Sequence, residues 1–284
     1  MRLLITGANG FTGIHLARAA TANGHQVVGL EADLEDAKAV AGEVAAFKPD
    51  AVIHLAGISD VAHKSASALY AVNVVGTCNL LDAVVRLSGA RRRVVLASSA
   101  NVYGNTSGAM ANESNGVAPL SHYACSKVAM EQMSRTYLDR LDVVIARPFN
   151  YTGPGHDERF VIPKLVRAFV ERAESVELGN IEVEREFNDV RFVVAAYLQL
   201  LAHGGVGETY NICTGVGHSL RSVMDELGRR LQHTPELQVN PAFIRPNEVF
   251  RLTGDPAKLL ALGTSADGNG LTDLLRWMIA EYRR

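Results

Sequence analysis

Cysteine is scarce in this sequence and neither sign of charge dominates it, and these two absences exclude several classes of protein. The three cysteines, Cys78, Cys125 and Cys213, have no C-x-x-C or similar spacing, which argues against a disulfide framework or a zinc site. A formal net charge of -2 gives no overall field that would attract nucleic acid or an acidic membrane. We therefore expect a cytoplasmic protein with no metal, no nucleic-acid partner and no membrane partner.

Long apolar runs are missing as well. No segment of the sequence suggests a bilayer span, and the opening MRLLITG has no leader pattern. Hydrophobic residues make up 48% of the 284 residues and charged residues 20%, which is an ordinary globular composition. This length allows one large α/β domain or two smaller ones.

Short apolar segments alternate with longer helical patterns in the first half of the chain. Continuous runs rich in β-branched residues predict strands at 2–6, 26–30, 51–55, 93–97 and 142–147. Apolar residues at three- and four-residue spacing predict helices at 11–23, 35–47, 66–88 and 121–140. This order predicts an α/β fold with a Rossmann-type doubly wound parallel sheet, covered by helices on both faces.

The pattern changes after residue 147, where several prolines and glycines lie close together. We expect a first domain over 1–150 and a smaller C-terminal α/β lobe over 151–284, with some later segments returning to the first domain. Only twenty residues separate the second predicted strand from the third, and a helix must occupy most of them. A strand that often follows the second one in such sheets is therefore short or lost here.

The first predicted strand runs directly into TGANGFTG, with glycines at Gly7, Gly10 and Gly13. Glycines at these positions let the backbone turn tightly and approach a pyrophosphate, which the N-terminus of the following helix then stabilises. The motif lies between a strand and a helix at the start of a βαβ unit, which is the context that dinucleotide binding requires.

A tyrosine and a lysine lie four residues apart in SHYACSK, so Tyr123 and Lys127 fall on one helical face, a turn apart. Lowering a tyrosine pKa from about 10 to about 7 requires roughly 4 kcal/mol of preference for the phenolate. An ammonium about 5 Å away would supply roughly 3 kcal/mol at an effective dielectric constant of about 20. Lys127 is therefore nearly sufficient, and a cationic nicotinamide could supply the rest. Tyr123 could then exchange a proton with a substrate oxygen near neutral pH.

The glycine spacing and the tyrosine–lysine pair together resemble the extended branch of the short-chain dehydrogenase/reductase superfamily, the NAD-dependent epimerase/dehydratase family, which acts on nucleotide sugars. Further segments fit this branch: HLAG (54–57), NVVGT (73–77), SSANVYG (98–104) and ARPFNYTGPG (146–155). In the second half, IRPNEVFRLTGDPAKLLALG (244–263) resembles the group of GDP-mannose dehydratases and GDP-4-keto-6-deoxymannose reductases. The resemblance implies that the first domain binds NAD(P) and that the second lobe binds a nucleotide sugar.

The resemblance also assigns roles to residues. The catalytic set is Ser99, Tyr123 and Lys127, with Ser98 as the competing serine. The lysine also holds the nicotinamide ribose, and Asn73 supports the site through backbone contacts. The expected cofactor-binding residues are Gly7, Gly10, Phe11, Thr12, Gly13, Glu31, Asp33, Leu34, Leu55, Ala56, Gly57, Asn73, Tyr123, Lys127 and Pro148.

For the substrate, Arg185 and Arg245 would clamp the pyrophosphate, because forked guanidinium donors match its oxygens. Glu248 would contact the guanosine. The sugar would meet Ser59, Asn101 and Asn150.

Residue 101 narrows the reaction. Sugar 4,6-dehydratases of this branch place a glutamate two residues after the catalytic serine or threonine, and this chain has Asn101. A neutral amide cannot take up and return the extra proton of the dehydration. Keto-sugar reduction and epimerisation need only hydride transfer and the tyrosine.

Two alternatives remain for the residues that contact the adenosine part of the cofactor. Asp33-Leu34 resembles a pair that touches the adenine, and the alternative is that Glu31, at the end of the second strand, accepts from the adenosine ribose. No lysine or arginine follows that strand until Lys38. We therefore favour NAD(H) over NADP(H).

The sequence thus predicts a reductase that converts GDP-4-keto-6-deoxy-D-mannose to GDP-D-rhamnose. The C4 epimer, with 6-deoxytalose as the sugar, is equally compatible with the sequence. The alternatives are a nucleotide-sugar 4-epimerase with tightly bound NAD, and below it a 4,6-dehydratase or a non-enzymatic cofactor-sensing protein. The resemblance also implies a homodimer through the helices at 66–88 and 121–140.

Overall fold

The computed structural model describes residues 1–61, 63–106, 110–243, 249–266 and 270–284. The strands, in chain order, are β1 (Arg2–Thr6), β2 (Gln26–Leu30), β3 (Ala51–His54), β4 (Arg93–Ala97), β5 (Asp142–Pro148), β6 (Tyr151–Thr152), β7 (Ser175–Leu178), β8 (Glu184–Arg185), β9 (Asn188–Asp189), β10 (Thr209–Ile212), β11 (His218–Ser219), β12 (Glu236–Val239) and β13 (Arg251–Leu252).

The helices are α1 (Phe11–Ala22), α2 (Ala37–Phe47), α3 (Ala66–Tyr70), α4 (Thr77–Val85), α5 (His122–Arg135), α6 (Val161–Val170), α7 (Val190–His203), α8 (Leu220–Leu231), α9 (Ala257–Leu260) and α10 (Leu271–Tyr282). A π-helical turn, Ala71–Gly76, joins α3 to α4, and short 3₁₀ turns cover Ala100–Tyr103 and Pro241–Phe243.

Six parallel strands form the central sheet in the order β10-β5-β4-β3-β1-β2. The five strands and four helical regions predicted from the sequence are all present, and the predicted fold class is confirmed. The sixth strand, β10, comes from the second half of the chain and extends the sheet beyond β5.

The connection from β2 to β3 lacks a further strand. Residues 31–50 are all described, and they contain the single helix α2 and its connecting turns. Asp36 caps this helix by accepting hydrogen bonds from the amides of Lys38 and Ala39, both at 3.0 Å. β2 is therefore the outer edge of the sheet, and β3 pairs directly with β1 on its other side.

Helices cover both faces of the sheet. On one face α1 and α7 pack on β1, β3 and β4, with Tyr197 and Phe192 fully enclosed. On the other face α2, α4 and α5 bury Val40, Leu80 and Met130. α7 and β10 thus come from the second half of the chain but belong to the central sheet and its helices, because their apolar faces complete that core.

The second lobe has its own core. Helices α6, α8 and α10 enclose Leu165, Phe169, Leu227 and Leu274 beside the small β7–β12 pair. The β6–β9 pair contacts α7 and, through β9, also α10, whereas the β11-β8-β13 sheet contacts α8 through β11.

The expectation that no segment could span a bilayer is wrong on length and composition. α3, the π-helical turn and α4 form one helix, Ala66–Val85, of 20 residues with a mean hydropathy of 1.5. This helix packs against α2 and α5, and 44% of it is buried inside the fold. Its buried polar residues Asn73 and Thr77 are hydrogen-bonded to neighbouring elements, which fits a core helix.

A buried hydrogen-bond chain ties β1 and β3 to this helix. The Thr77 hydroxyl donates to the Asn73 carbonyl at 2.8 Å and therefore accepts from His54 Nε2 at 2.9 Å. His54 Nδ1 then accepts from the Thr6 hydroxyl at 2.6 Å, whose oxygen also accepts from the Ala56 amide. This pattern assigns the proton of the neutral imidazole to Nε2. Burial lowers the pKa of His54 to about 3, so the ring stays neutral.

We predict that His54 makes the protein acid-sensitive. The folded-state pKa lies below the unfolded value, so stability is complete above about pH 6.5 and falls as the pH drops towards 3. Between pH 7 and 5, wild type should lose about 2 kcal/mol more unfolding free energy than His54→Gln, measured by urea denaturation. The exposed control His203→Gln should keep the wild-type slope. An equal loss in wild type and His54→Gln would contradict the prediction.

Candidate active site

The loops that follow four neighbouring parallel strands meet at the carboxyl edge of the sheet. They carry Gly7 after β1, Gly57 after β3, Ser99 after β4 and Pro148 at the end of β5. Open α/β sheets bind ligands at this edge, because crossover helices cover the two faces. The residues singled out from the sequence come together here.

The glycine-rich loop folds so tightly that two of its positions admit only glycine. Gly7 has a φ of 69°, and a Cβ there would lie 2.9 Å from the Ala56 amide nitrogen. A Cβ on Gly13 would lie 2.1 Å from the Gly7 carbonyl oxygen. The Gly10 amide closes the turn by donating to that same oxygen at 3.0 Å. The loop therefore brings backbone, without side chains, to the edge of the sheet.

The helix that follows offers free backbone donors. α1 begins at Phe11, its N-cap is Gly10, and no described side chain caps it. The side chains of Phe11 and Thr12 are engaged elsewhere: Phe11 stacks on His156 with ring centroids 4.2 Å apart, and the Thr12 hydroxyl bonds Tyr151 Oη at 2.8 Å. An uncapped helix N-terminus without first-turn acids fits the pyrophosphate of a dinucleotide.

The region beyond β2 carries the two alternatives for the adenosine end. Glu31 is exposed, and Asn9 Nδ2 donates to its carboxylate at 3.3 Å. Asp33 is also exposed and accepts from the Glu35 amide at 3.0 Å. Leu34 is buried beneath the π-helical turn, so only its backbone can reach the edge. Glu31 is the carboxylate whose partner, Asn9, belongs to the glycine-rich loop.

Helix α5 presents the tyrosine–lysine pair as predicted. Ser121 caps the helix by accepting from the Ala124 amide at 3.2 Å. Tyr123 and Lys127 follow on the inward face, with only 6% and 5% of their surfaces exposed. The expectation that the two residues share one face of a helix is confirmed.

Lys127 lies between the ends of β3 and β4. Its ammonium donates to the Ala97 carbonyl at 2.9 Å, and a Cβ on Gly57 would lie 3.4 Å from Nζ. Burial lowers the pKa of Lys127 to about 8, while the Glu131 carboxylate acts in the opposite direction. The amine therefore remains mainly charged at neutral pH.

The electrostatics of Tyr123 differ from the sequence argument. Burial raises the pKa of its phenol to about 12, and a hydrogen bond from Ser99 only partly offsets this effect. In the protein alone, the desolvation of the phenolate thus dominates the pKa of Tyr123, a contribution that the sequence argument on Lys127 and the nicotinamide did not include. Tyr123 is a protonated group at neutral pH, the state that a proton donor requires.

Ser99 and Ser98 have separate environments. Ser99 Oγ accepts from the Asn101 amide at 3.2 Å and from Asn101 Nδ2 at 3.1 Å, and it bonds Tyr123. Ser98 Oγ points away and donates to Glu131 at 2.5 Å. Ser98, the competing serine, therefore makes a structural hydrogen bond, and Ser99 is the serine beside the tyrosine.

Asn73 connects the helix pair to the loop after β3. Its amide oxygen accepts from the Ile58 amide at 2.9 Å, and its Nδ2 donates to the Ile58 carbonyl and to Ser126 Oγ. Asn73 lies within the π-helical turn, and a Cβ on Gly57 would approach its Oδ1 to 2.7 Å. The residue therefore links the loop after β3 to α5, and its contacts with the Ile58 backbone are of the kind that the resemblance implies.

The candidate substrate residues do not all lie free at the carboxyl edge of the sheet. Ser59 and Asn150 are exposed at the carboxyl edge, after β3 and β5. Arg185 uses both terminal nitrogens on backbone carbonyls, at 2.8 Å to Glu184 and also to Val249. The same atoms would have to leave these carbonyls to clamp a diphosphate. Arg245 and Glu248 lie outside the described residues.

The sequence analysis did not predict the buried ion pair between Glu131 and Arg147 beside the site. Glu131 lies one helical turn beyond Lys127, and both of its oxygens accept from Arg147. The four-residue spacing that linked Tyr123 to Lys127 continues to Glu131, so the same periodicity could have indicated it. Arg147, at the end of a strand, has no such local signal.

Comparison with known proteins agrees with this geometry. The model of the NAD dependent epimerase/dehydratase family matches residues 3–213. A GDP-6-deoxy-D-talose 4-dehydrogenase from Aggregatibacter actinomycetemcomitans is 34% identical over 92% of this chain and 90% of its own length. A GDP-6-deoxy-D-mannose reductase from Pseudomonas aeruginosa is 35% identical over 91% of this chain and 89% of its own.

Among solved structures, RMD from Pseudomonas aeruginosa complexed with NADPH has a TM-score of 0.89 and 32% identity, covering 99% of this chain and 97% of that one. Relatives of this kind are nicotinamide-dependent enzymes of nucleotide sugars. With a parallel sheet, a glycine-rich loop and a buried Ser-Tyr-Lys set, the chain belongs to the NAD-dependent epimerase/dehydratase family and is an enzyme that uses a nicotinamide cofactor.

Proposed function

We propose that this enzyme is a reductase of a GDP-linked 4-keto-6-deoxyhexose, with GDP-4-keto-6-deoxy-D-mannose as substrate and GDP-D-rhamnose as product. The observation that carries the proposal is the buried Tyr123 beside Ser99 and one helical turn before Lys127, with Asn101 where a dehydratase has its glutamate. The two relatives that act on GDP-6-deoxyhexoses support the substrate class. The axial or equatorial product follows from which face of the sugar meets the cofactor.

The chain supplies the proton and the orientation. When bound, the nicotinamide cofactor supplies the hydride that reduces C4. Tyr123 donates its phenolic proton to the carbonyl oxygen as that oxygen gains negative charge. Ser99 donates a second hydrogen bond to the same oxygen, and the charged Lys127 stabilises the phenolate that remains. The ketone thus gains a hydride and a proton and becomes an alcohol.

Asn101 contributes by fixing the direction of the Ser99 hydroxyl. Two donors from Asn101 point at Ser99 Oγ, so the serine oxygen acts as the acceptor there. Its own proton is then free to point towards Tyr123 and the reacting oxygen. In this proposal Asn101 touches the sugar side of the site but takes up no proton.

The remaining substrate roles are part of the same proposal. Ser59 and Asn150 line the sugar side of the edge, and Arg245 and Glu248 bind the diphosphate and guanine. Arg185 donates to the Val249 and Phe250 carbonyls and thereby holds the start of the described segment 249–266.

We predict that the purified enzyme oxidises NADH at 340 nm in the presence of GDP-4-keto-6-deoxy-D-mannose. Tyr123→Phe should lower kcat by about 10³-fold, because it removes the proton donor. Tyr282→Phe, a change at an exposed tyrosine at the end of α10, is the matched control and should retain full activity. Three results together would establish the epimerase instead: neither NADH nor NADPH is oxidised, NAD is released only when the protein is denatured, and the enzyme interconverts 4-epimers.

We also propose that the enzyme prefers NAD(H), because the Glu31 carboxylate can accept from the ribose hydroxyls and repels a 2′-phosphate. Since the related RMD structure contains NADPH, the preference needs a direct test. Wild type should show a higher kcat/KM with NADH than with NADPH. Glu31→Gln should lower that ratio about tenfold, which corresponds to about 1.4 kcal/mol. Glu35→Gln, also on this exposed edge, is the control. Faster turnover with NADPH in wild type would contradict the assignment.

A homodimer is the third part of the proposal. The apolar helix Ala66–Val85 is only 44% buried within one chain, and Val75 on it is 54% exposed. α5 lies beside this helix, so the two present a joint surface that a second copy could cover. Sedimentation velocity should give a dimer for wild type and a monomer for Val75→Lys. Val239→Lys, at a similarly exposed valine in the second lobe, should remain dimeric. A monomeric wild type would refute the dimer.

A further inference from the structure

A fully buried carboxylate lies behind the catalytic helix. Glu131 has no exposed surface, and its side chain binds three donors. Arg147 donates from Nε at 2.9 Å and from Nη2 at 2.6 Å, and Ser98 Oγ donates at 2.5 Å. The arginine itself is 5% exposed. This is a bidentate ion pair removed from water, with a serine as third partner.

The pair is anchored in turn. The Arg147 guanidinium lies over the Tyr103 ring, with Cζ 4.8 Å from the ring centroid. Tyr103 Oη donates to Asn211 Oδ1 at 2.7 Å, which links the cluster to β10. The Asn211 amide donates to the Glu113 carboxylate at 2.7 Å. The network therefore joins α5, β4, β5, the 3₁₀ turn and β10.

Every direct partner of Glu131 adjoins a residue of the proposed site. Ser98 precedes Ser99, and the carbonyl of Ala97, one residue earlier, accepts from Lys127. Arg147 precedes Pro148 at the end of β5. Glu131 therefore binds the ends of both strands from the helix that carries Tyr123 and Lys127.

Stability alone does not explain this arrangement. Desolvating two charges costs several kcal/mol each, and apolar residues of similar volume often serve as well or better. Removing only one partner is strongly destabilising, because it leaves a buried charge without compensation. A function that depends on position is the alternative reason to keep such a pair.

We propose that Glu131 is a positioning residue that, by holding Ser98 and Arg147, fixes the strand ends bearing Ser99 and Pro148 and keeps the Lys127 ammonium in place. The inference rests on the proposed oxidoreductase function and extends it to residues that touch neither substrate nor cofactor. Glu131 acts through its neighbours, which distinguishes it from the catalytic residues.

The charge of Glu131 has a second effect on Lys127. Burial lowers the pKa of Lys127, and Glu131 is the carboxylate that opposes this change. The other titratable groups near the amine are Tyr123 on the same helix and His54 on β3, and Arg147 faces Glu131 from β5. Removal of Glu131 should therefore lower the pKa of Lys127 further. Because a lysine loses its charge above its pKa, the loss of activity at alkaline pH should then begin at a lower pH than in wild type.

The test compares three variants of the full-length enzyme. Glu131→Gln keeps the shape but removes the charge. The double change Glu131→Leu with Arg147→Met removes both buried charges and should retain the wild-type Tm. Ser98→Ala removes one hydrogen bond and leaves the ion pair. Glu226→Gln, in an ion pair of the second lobe, is the control for losing a carboxylate that pairs with two arginines.

The proposal predicts that the double variant folds with at least the wild-type Tm yet loses at least tenfold in kcat. Glu131→Gln should move the alkaline limb of the kcat/KM profile down by about one pH unit. Ser98→Ala should lower kcat by a smaller factor without moving that limb. Glu226→Gln should match wild type in all three measurements.

A double variant with wild-type kcat and an unmoved alkaline limb would overturn the proposal and leave the pair a structural role. If Glu131→Gln fails to fold, the double variant and Ser98→Ala still decide the question. NADH binding, followed by fluorescence at pH 7 and 9, gives a readout that needs no sugar substrate. Weaker NADH binding at pH 9 in the double variant than in wild type supports positioning even if the sugar proposed above is wrong.

Discussion

Desolvation of polar and charged groups at the carboxyl edge of the sheet is the constraint on which the rest of this structure depends. Lys127, Glu131, Arg147 and His54 are all buried there, and each has found partners on a different element. A buried polar group without a partner would cost more than most single packing contacts contribute. The edge can therefore hold these groups only if helices and strand ends keep their relative positions.

The same burial sets the protonation states of Tyr123 and Lys127. Burial raises the pKa of Tyr123 and lowers the pKa of Lys127, so the phenol keeps its proton while the amine stays near its titration point. Two groups with opposed pKa shifts, one turn apart, suit the proposed mechanism, in which one donates a proton and the other stabilises the phenolate that remains. The Ser99 hydroxyl, directed by Asn101, completes the set.

The cofactor side of the edge follows from a different restriction. Gly7 and Gly13 exclude any side chain, so backbone amides face the place where a pyrophosphate would lie. The side chains of Phe11 and Thr12 meanwhile contact His156 and Tyr151 at the start of the second lobe. The glycine-rich loop region and the segment that begins the second lobe are thus in direct contact.

The sequence by itself determined the strands and helices of the first domain, the glycine-rich turn, and the shared face of Tyr123 and Lys127. These depend on local periodicity and on backbone conformations that only certain residues adopt. Only the tertiary structure decided that β10 completes the sheet, that Arg185 binds carbonyls, and that Glu131 pairs with Arg147. It also decided the direction of the Tyr123 pKa shift. Such features depend on contacts between distant segments and on the water those contacts exclude, and neither is encoded in residue spacing.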